Sequence, residues 1–334
     1  MPLLNAENAE NAENAENAEN AEGGLRPGAP RLGSALLIAA DGLSDDGPLG
    51  LGPAASVMPE PFSSIAPRYR RDAVLFDLIG GLAVEETEGR VRLAIRGGEP
   101  IFDGRAPGPE TLAASAEAVA SYADLRLERM AEIEAQRSTL LPFFAQALFL
   151  DAARCPRTLE ALHVALAVSD HVVQRLKAAF GVPRPVVLTD RIMPVIPTPA
   201  HGSFPSGHAT QAFLLAELLT RLTGRDAAPL RRIAARIAVN RTVAGVHYPL
   251  DSAAGALLGR GVALHLAACG AGGKGAPVAR FDGDSYVEAG VPRDFHAAAY
   301  DALVAELPDS GPDRMAASPL WSWIWNAAAA EWSA

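Results

Sequence analysis

The chain has 334 residues, a formal net charge of −10, and 49% hydrophobic against 20% charged residues. That is the balance of a globular protein with a sizeable core, and its acidity excludes a surface broadly suited to nucleic acid or an anionic membrane. Two cysteines, Cys155 and Cys269, cannot build a disulfide framework or a Cys-rich zinc site.

Residues 5–22 are six Asn-Ala-Glu triplets, whose period fits neither helix nor strand, so 1–22 is expected to be a disordered tail. Residues 23–108 are rich in Gly, Pro and Ala and are expected to form an irregular arm. A short strand is allowed at Ala35–Ala39, and a strand pair at Val91–Arg96 and Pro100–Phe102 around Gly97-Gly98. From Pro109 the pattern turns helical. One stretch runs to Ala153, broken at Pro142, and another starts at Thr158 as N-cap and runs to Phe180, where Gly181, Pro183 and Pro185 end it. A Pro-rich loop leads to Pro205. Helices are expected at Ser206–Thr223, Ala228–Thr242 and Tyr248–Ala268. The apolar run Ala253–Cys269 is short and carries Arg260 and His265, which marks it as a buried helix rather than a membrane span. Residues 109–270 therefore read as a helical bundle. Residues 271–334 read as an extension packed on it, with Trp321, Trp323 and Trp325 as packing groups. With no basic-then-apolar leader and no spanning run, the expectation is a soluble cytoplasmic protein without a membrane partner. A homodimer is compatible with the large helical surface and the Trp-rich end.

Three stretches carry chemistry. Lys177 is followed after six residues by Arg184; Pro205-Ser206-Gly207-His208 opens a helix; and Arg241 is followed after five residues by His247 and after three more by Asp251. A helix N-terminus is partly positive and offers unpaired N–H groups, so it suits an oxyanion. Lys177 adds a point charge, and Arg184 and Arg241 add planar forks. Ser206 adds a hydroxyl, and Gly207 a backbone N–H free of a Cβ. His208 can carry a proton to or from an apical oxygen. His247 is left to bond the central atom from the opposite side, with Asp251 at i+4 to fix its tautomer. His163 and His171, eight apart on the helix that also carries Asp170, are too far apart to share an ion, and His265 and His296 lack partners at useful spacing.

The order and spacing of these residues resemble the superfamily that joins type 2 phosphatidic acid phosphatases, bacterial acid phosphatases and vanadium-dependent haloperoxidases. The resemblance spans Lys177 to Asp251 and departs where the family often has Ser and this chain has Asn240. It implies an all-α bundle of the acid phosphatase/vanadium haloperoxidase type with an irregular N-terminal arm. It also implies a cage for phosphate or vanadate, with His247 as nucleophile or vanadium ligand.

Two enzymes fit that cage. A haloperoxidase would hold vanadate as cofactor and use hydrogen peroxide to oxidise halide, bromide above others. His201, seven residues before His208, stands where the algal bromoperoxidases carry a histidine on the halide side, and this favours the peroxidase. A phosphatase would need no cofactor and would cleave phosphomonoesters through a phosphohistidine. The compact spacing, 22 positions from Arg184 to Ser206 and 33 from His208 to Arg241, fits that alternative. A non-catalytic phosphate- or vanadate-binding protein is the third reading, disfavoured because binding alone needs neither histidine.

Overall fold

The computed structural model describes residues 62–288, 290–308, 311–314 and 318–333. The Asn-Ala-Glu tail and the strand expected at 35–39 lie outside the described residues. Residues 65–136 and 140–334 belong to one compact unit, which holds everything below; residues 62–64 and 137–139 belong to another and form turns and irregular chain.

In chain order the elements are α1 (Pro67–Gly80), β1 (Leu82–Thr87), β2 (Arg90–Ile95), β3 (Pro100–Arg105), α2 (Pro109–Ser121), α3 (Arg126–Ala135), α4 (Leu141–Ala145) and α5 (Pro156–Phe180). There follow α6 (Pro185–Leu188), α7 (Gly207–Thr223), α8 (Ala227–Val243), α9 (Pro249–Ala271), β4 (Gly273–Lys274), β5 (Ala279–Asp282), β6 (Val287–Glu288), β7 (Val291–Pro292), α10 (Ala297–Ala305), β8 (Asp313–Arg314) and α11 (Pro319–Ala330).

Helices dominate, but the chain is not purely α. Strands β1, β2 and β3 form an antiparallel meander, and β5 joins it parallel to β3, giving the order β1-β2-β3-β5. The expected pair is present as β2 and β3. Its neighbour β1 gave no alternating signal because its outer half, Glu85 to Thr87, lies exposed. The described part of the arm, with α1 and this sheet, is thus regular rather than irregular. The long helix expected over 109–153 is instead α2, a 3₁₀ turn (Tyr122–Leu125), α3 and α4. Pro142 does not break a helix; it sits in the first turn of α4, where its missing N–H costs nothing.

Thr158 is not the cap of α5. Cys155 takes that position, and Glu331, just beyond α11, supplies the acceptor: its carboxylate receives the N–H groups of Arg157 (2.7 Å) and Thr158 (2.8 Å) and the Thr158 hydroxyl (2.7 Å). The Trp-rich segment packs as expected. Trp321 is fully buried and donates its indole N–H to the Leu266 carbonyl of α9 at 2.7 Å.

Helix α9 is apolar all round, which suits a helix enclosed by others. Among the described residues it alone is long and apolar enough to cross a membrane, and 94% of its most apolar stretch is buried inside the protein. It lies against α7 with unusual closeness. A Cβ on Gly255 would stand 2.6 Å from the Ser206 carbonyl oxygen, and one on Gly259 would stand 2.2 Å from that of Thr210. The two glycines are what let the N-terminal ends of α7 and α9 meet, and the Ser206 N–H then bonds the Asp251 carbonyl at 3.0 Å. Beneath the junction, Phe204 is fully buried and packs edge-on against Phe180 (centroids 4.8 Å apart) and near Phe281 of β5 (6.0 Å). This aromatic contact ties the loop before Ser206 to α5 and the sheet.

Candidate active site

Four helix ends converge. The N-termini of α7 and α9 bring Ser206, Gly207, His208 and His247, while the last turns of α5 and α8 bring Lys177 and Arg241. Arg184 enters from the N-cap of α6. Lys177, Arg184, Ser206, Arg241, His247 and Asp251 are all buried; Gly207, His208 and His201 are half-buried.

His247 is held on both nitrogens. Its Nδ1 stands 2.9 Å from Asp251 Oδ2, and its Nε2 stands 3.0 Å from Arg184 Nη1. A guanidinium only donates, so Nε2 carries the lone pair and Nδ1 carries the proton, which it gives to the carboxylate. Asp251 Oδ2 also accepts from the Ser203 hydroxyl at 2.6 Å and from the Tyr248 N–H at 3.0 Å. The i+4 placement read from the sequence is therefore realised, with Ser203 as a partner that sequence reasoning missed. Its signal was a hydroxyl in the Pro/Gly-rich loop, three positions before Ser206.

Lys177 donates to the carbonyls of Gly202 and Ser203, both at 2.9 Å, which leaves one of its three N–H bonds for a guest. Arg184 donates to the carbonyls of His201 (3.1 Å) and Val246 (2.7 Å), and its Nη2 lies 3.2 Å from His201 Nδ1. His201 thus sits at the rim of the cage, against Arg184. Ser206 caps α7, its hydroxyl accepting from the Ala209 N–H at 3.4 Å. A Cβ on Gly207 would meet only Val173, at an ordinary 3.6 Å, so packing within the fold does not require glycine there.

On the other side, His208 Nε2 lies 3.0 Å from the Gln136 carbonyl oxygen. Arg241 Nη2 donates to Gln136 Oε1 at 2.9 Å and to the Ile133 carbonyl at 3.3 Å. Asn240, where the sequence departs from the family pattern, donates to Gln136 Oε1 and to Glu132, both at 3.1 Å. No sequence signal pointed to Gln136. It lies 41 positions before Lys177, at the end of α3.

Burial and mutual repulsion set the charge states. Desolvation, with Arg241 adding repulsion, pushes His208 down to about 3. His247 is pushed well below the usual imidazole range by desolvation and then by Arg184. Desolvation and Arg184 also push Lys177 well down, and desolvation takes Arg184 to about 10. Asp251 rises to about 6 on burial, against the lowering effect of Ser203. A dianion in the cage would reverse the repulsion between the cations and return the imidazoles toward protonation.

His163 is exposed on α5, and no cluster of three metal-ligating side chains occurs among the described residues. His265 and His296 do have partners: the Cys269 Sγ lies 3.5 Å from His265 Nε2, and His296 caps α10 through the Ala299 N–H at 3.2 Å.

Residues 159–272 match the family model described as the PAP2 superfamily. Over that stretch, about a third of its length, the chain is similar to the PAP2 superfamily. The PAP2 stretch contains every sequence-derived site residue, whereas Gln136 lies outside it. Two curated relatives are each 38% identical over 77 residues: the decaprenylphosphoryl-5-phosphoribose phosphatases of Mycobacterium tuberculosis strains CDC 1551 / Oshkosh and ATCC 25618 / H37Rv. The matched stretch covers 23% of this chain and 42% of each relative.

Proposed function

We propose that the protein is a phosphatase that hydrolyses phosphomonoesters through a phosphohistidine at His247. The observation that carries this reading is the His247 Nε2 lone pair, oriented from behind by Asp251 and flanked by Arg184, with Lys177 and Arg241 set around the same centre. The phosphatase names of the mycobacterial relatives support it over the haloperoxidase that the sequence favoured.

In the proposed reaction the guanidinium of Arg184 turns from Nε2 to a phosphoryl oxygen, which frees the lone pair. Lys177, Arg241, the Ser206 hydroxyl and the Gly207 N–H take the remaining charge, in a site where each donor is worth more than in water. Nε2 then forms the P–N bond as the P–O bond to the leaving alcohol breaks, and His208 gives that oxygen its proton. The Nδ1 proton stays on His247, stabilised by Asp251. Water then attacks phosphorus, His208 takes its proton back, and the P–N bond breaks to release phosphate.

The same donors suit vanadate, which would supply peroxide activation if it were resident, and His201 beside Arg184 is the feature that favours this second reading. One pair of assays separates the two. Purified protein is tested for aryl phosphate hydrolysis and, with peroxide and bromide, for dye bromination, each with and without orthovanadate. A phosphatase is active without vanadate and inhibited by it. Vanadate-dependent bromination without hydrolysis would overturn the proposal.

A further inference from the structure

The buried Gln136 touches both halves of the proton-transfer side of the site. Its backbone carbonyl faces His208 Nε2 at 3.0 Å, and its side-chain oxygen receives Arg241 Nη2 at 2.9 Å and Asn240 Nδ2 at 3.1 Å. Both partners of that oxygen are donors, so the orientation of the amide is fixed. Asn240 is itself fixed, donating to Glu132 and accepting from Arg129 at 3.4 Å, and Glu132 pairs with Arg236. The end of α3 is therefore a shelf against which α8 and the start of α7 are held.

We infer that Gln136 is a positioning residue of the reaction proposed above. It aims the Arg241 fork at the anion, and its carbonyl selects Nδ1 of His208 as the nitrogen that handles the proton. The second half follows from hydrogen-bond polarity. A carbonyl oxygen only accepts, so Nε2 of His208 keeps its hydrogen in the neutral and the charged ring alike. Nδ1 is then the one nitrogen that gains and loses a proton, the reverse of His247, where Nε2 is the reactive atom. The two histidines would meet the substrate through opposite ring nitrogens, each fixed by a partner that cannot change its hydrogen-bonding role.

The shelf also gives a variant that should fold. Beyond Gln136 lies a cleft of about 230 Å³, walled by Phe143, Ile233 and Ile237 and by the polar Glu132, Gln146 and Arg236. A methionine of similar length at 136 would keep the side-chain volume, with Phe143, Ile233 and Ile237 available for its thioether.

Two measurements on the full-length protein test the inference. In Gln136→Met, affinity for inorganic phosphate measured by calorimetry is expected to fall about tenfold, the scale of one lost hydrogen bond to a charged group. The Michaelis constant (KM) for an aryl phosphate should rise in parallel, kcat should change less than KM, and the far-UV spectrum should be unchanged. Asn240→Ala, which removes one of the two bonds that fix the amide, should show the same pattern more weakly and serves if the first variant does not fold. Unchanged phosphate affinity in a folded variant would overturn the positioning role, and so would equal losses in kcat and affinity. Separately, nitrogen NMR of His208, assigned by comparison with His208→Asn, should show the Nε2–H form at neutral pH. A Nδ1–H form would overturn the tautomer assignment. Neither calorimetry nor NMR requires turnover, so a protein that binds phosphate as expected yet hydrolyses no ester would refute the phosphatase reading while leaving the positioning of Arg241 in place.

Discussion

The two sides of the site are built differently. On the His247 side everything is buried and tied by short contacts within the PAP2 stretch: imidazole to Asp251, Asp251 to Ser203 and to the Tyr248 N–H, and Arg184 to Nε2. On the other side His208 is half-buried, its partner Gln136 comes from the end of α3, and Arg241 reaches the Ile133 carbonyl of α3, both outside that stretch. A nucleophile gains from being fixed and dry. An acid that serves a leaving group, and later water, has to stand where both can pass.

Breaking the closed side is expected to cost most. His247→Ala should lower kcat by at least about 10⁴, as loss of a covalent nucleophile does elsewhere, and should abolish any phosphorylated intermediate. Turnover within tenfold of the parent would remove His247 from the mechanism. On the open side, His208→Ala should lower turnover of alkyl phosphates by about 10²–10⁴. The loss should shrink for an aryl phosphate, whose leaving group needs less help from an acid. Equal losses for both esters would argue that His208 binds anion instead.

Ser203→Ala sharpens the contrast within the closed side, since it removes one bond to Asp251 and a 3.3 Å contact with His247 Nδ1 but leaves the bond between Asp251 and the imidazole. A drop of about 10–100-fold in kcat is expected, the scale of a hydrogen bond to a charged group. A stability loss with unchanged kcat would make Ser203 merely structural. Gly259→Ala acts on the seam common to both sides, where its Cβ would stand 2.2 Å from the Thr210 carbonyl oxygen. Forced separation of α7 from α9 should cost about 1–3 kcal/mol in denaturant melts, with a larger fall in activity than in helix content.

The smallest effect is on stability against pH. Between about 3 and the ordinary 6.5, the unfolded chain binds a proton at His208 that the folded protein refuses, so this group makes stability rise with pH across that window. His247 acts in the same direction. Asp251, raised to about 6, acts the opposite way, as one group against several histidines held below the ordinary range by burial. The melting temperature should therefore fall between about pH 7 and about pH 5 and fall less in phosphate, whose charge offsets the desolvation cost of protonated histidine. A melting temperature flat over that range in phosphate-free buffer would show that the histidines are not repelled from protonation.

What could be read from the sequence follows the same division. The bundle helices α5, α7, α8 and α9 were legible within about three residues because Pro, Gly and Ser mark many of their ends, as Gly181 does at φ 63° after Phe180. The grouping of the residues proposed to bind the anion was legible because they lie in three short stretches at fixed spacing. The parts that were not legible depend on distant chain. Glu331 caps α5 from 173 positions beyond Thr158, and β5 pairs with β3 across most of the chain. Gln136 owes its place partly to a backbone carbonyl, which no side-chain pattern advertises. Asn240 looked like a neutral departure; the structure shows it fully engaged with Arg129, Glu132 and Gln136.

The most direct test is chemical trapping. Protein mixed with a phosphorus-labelled aryl phosphate, quenched within one turnover and digested under conditions that preserve phosphohistidine, should carry the label on His247, on Nε2. Label on another residue, or rapid hydrolysis with no phosphoenzyme at any quench time, would contradict a nucleophilic His247.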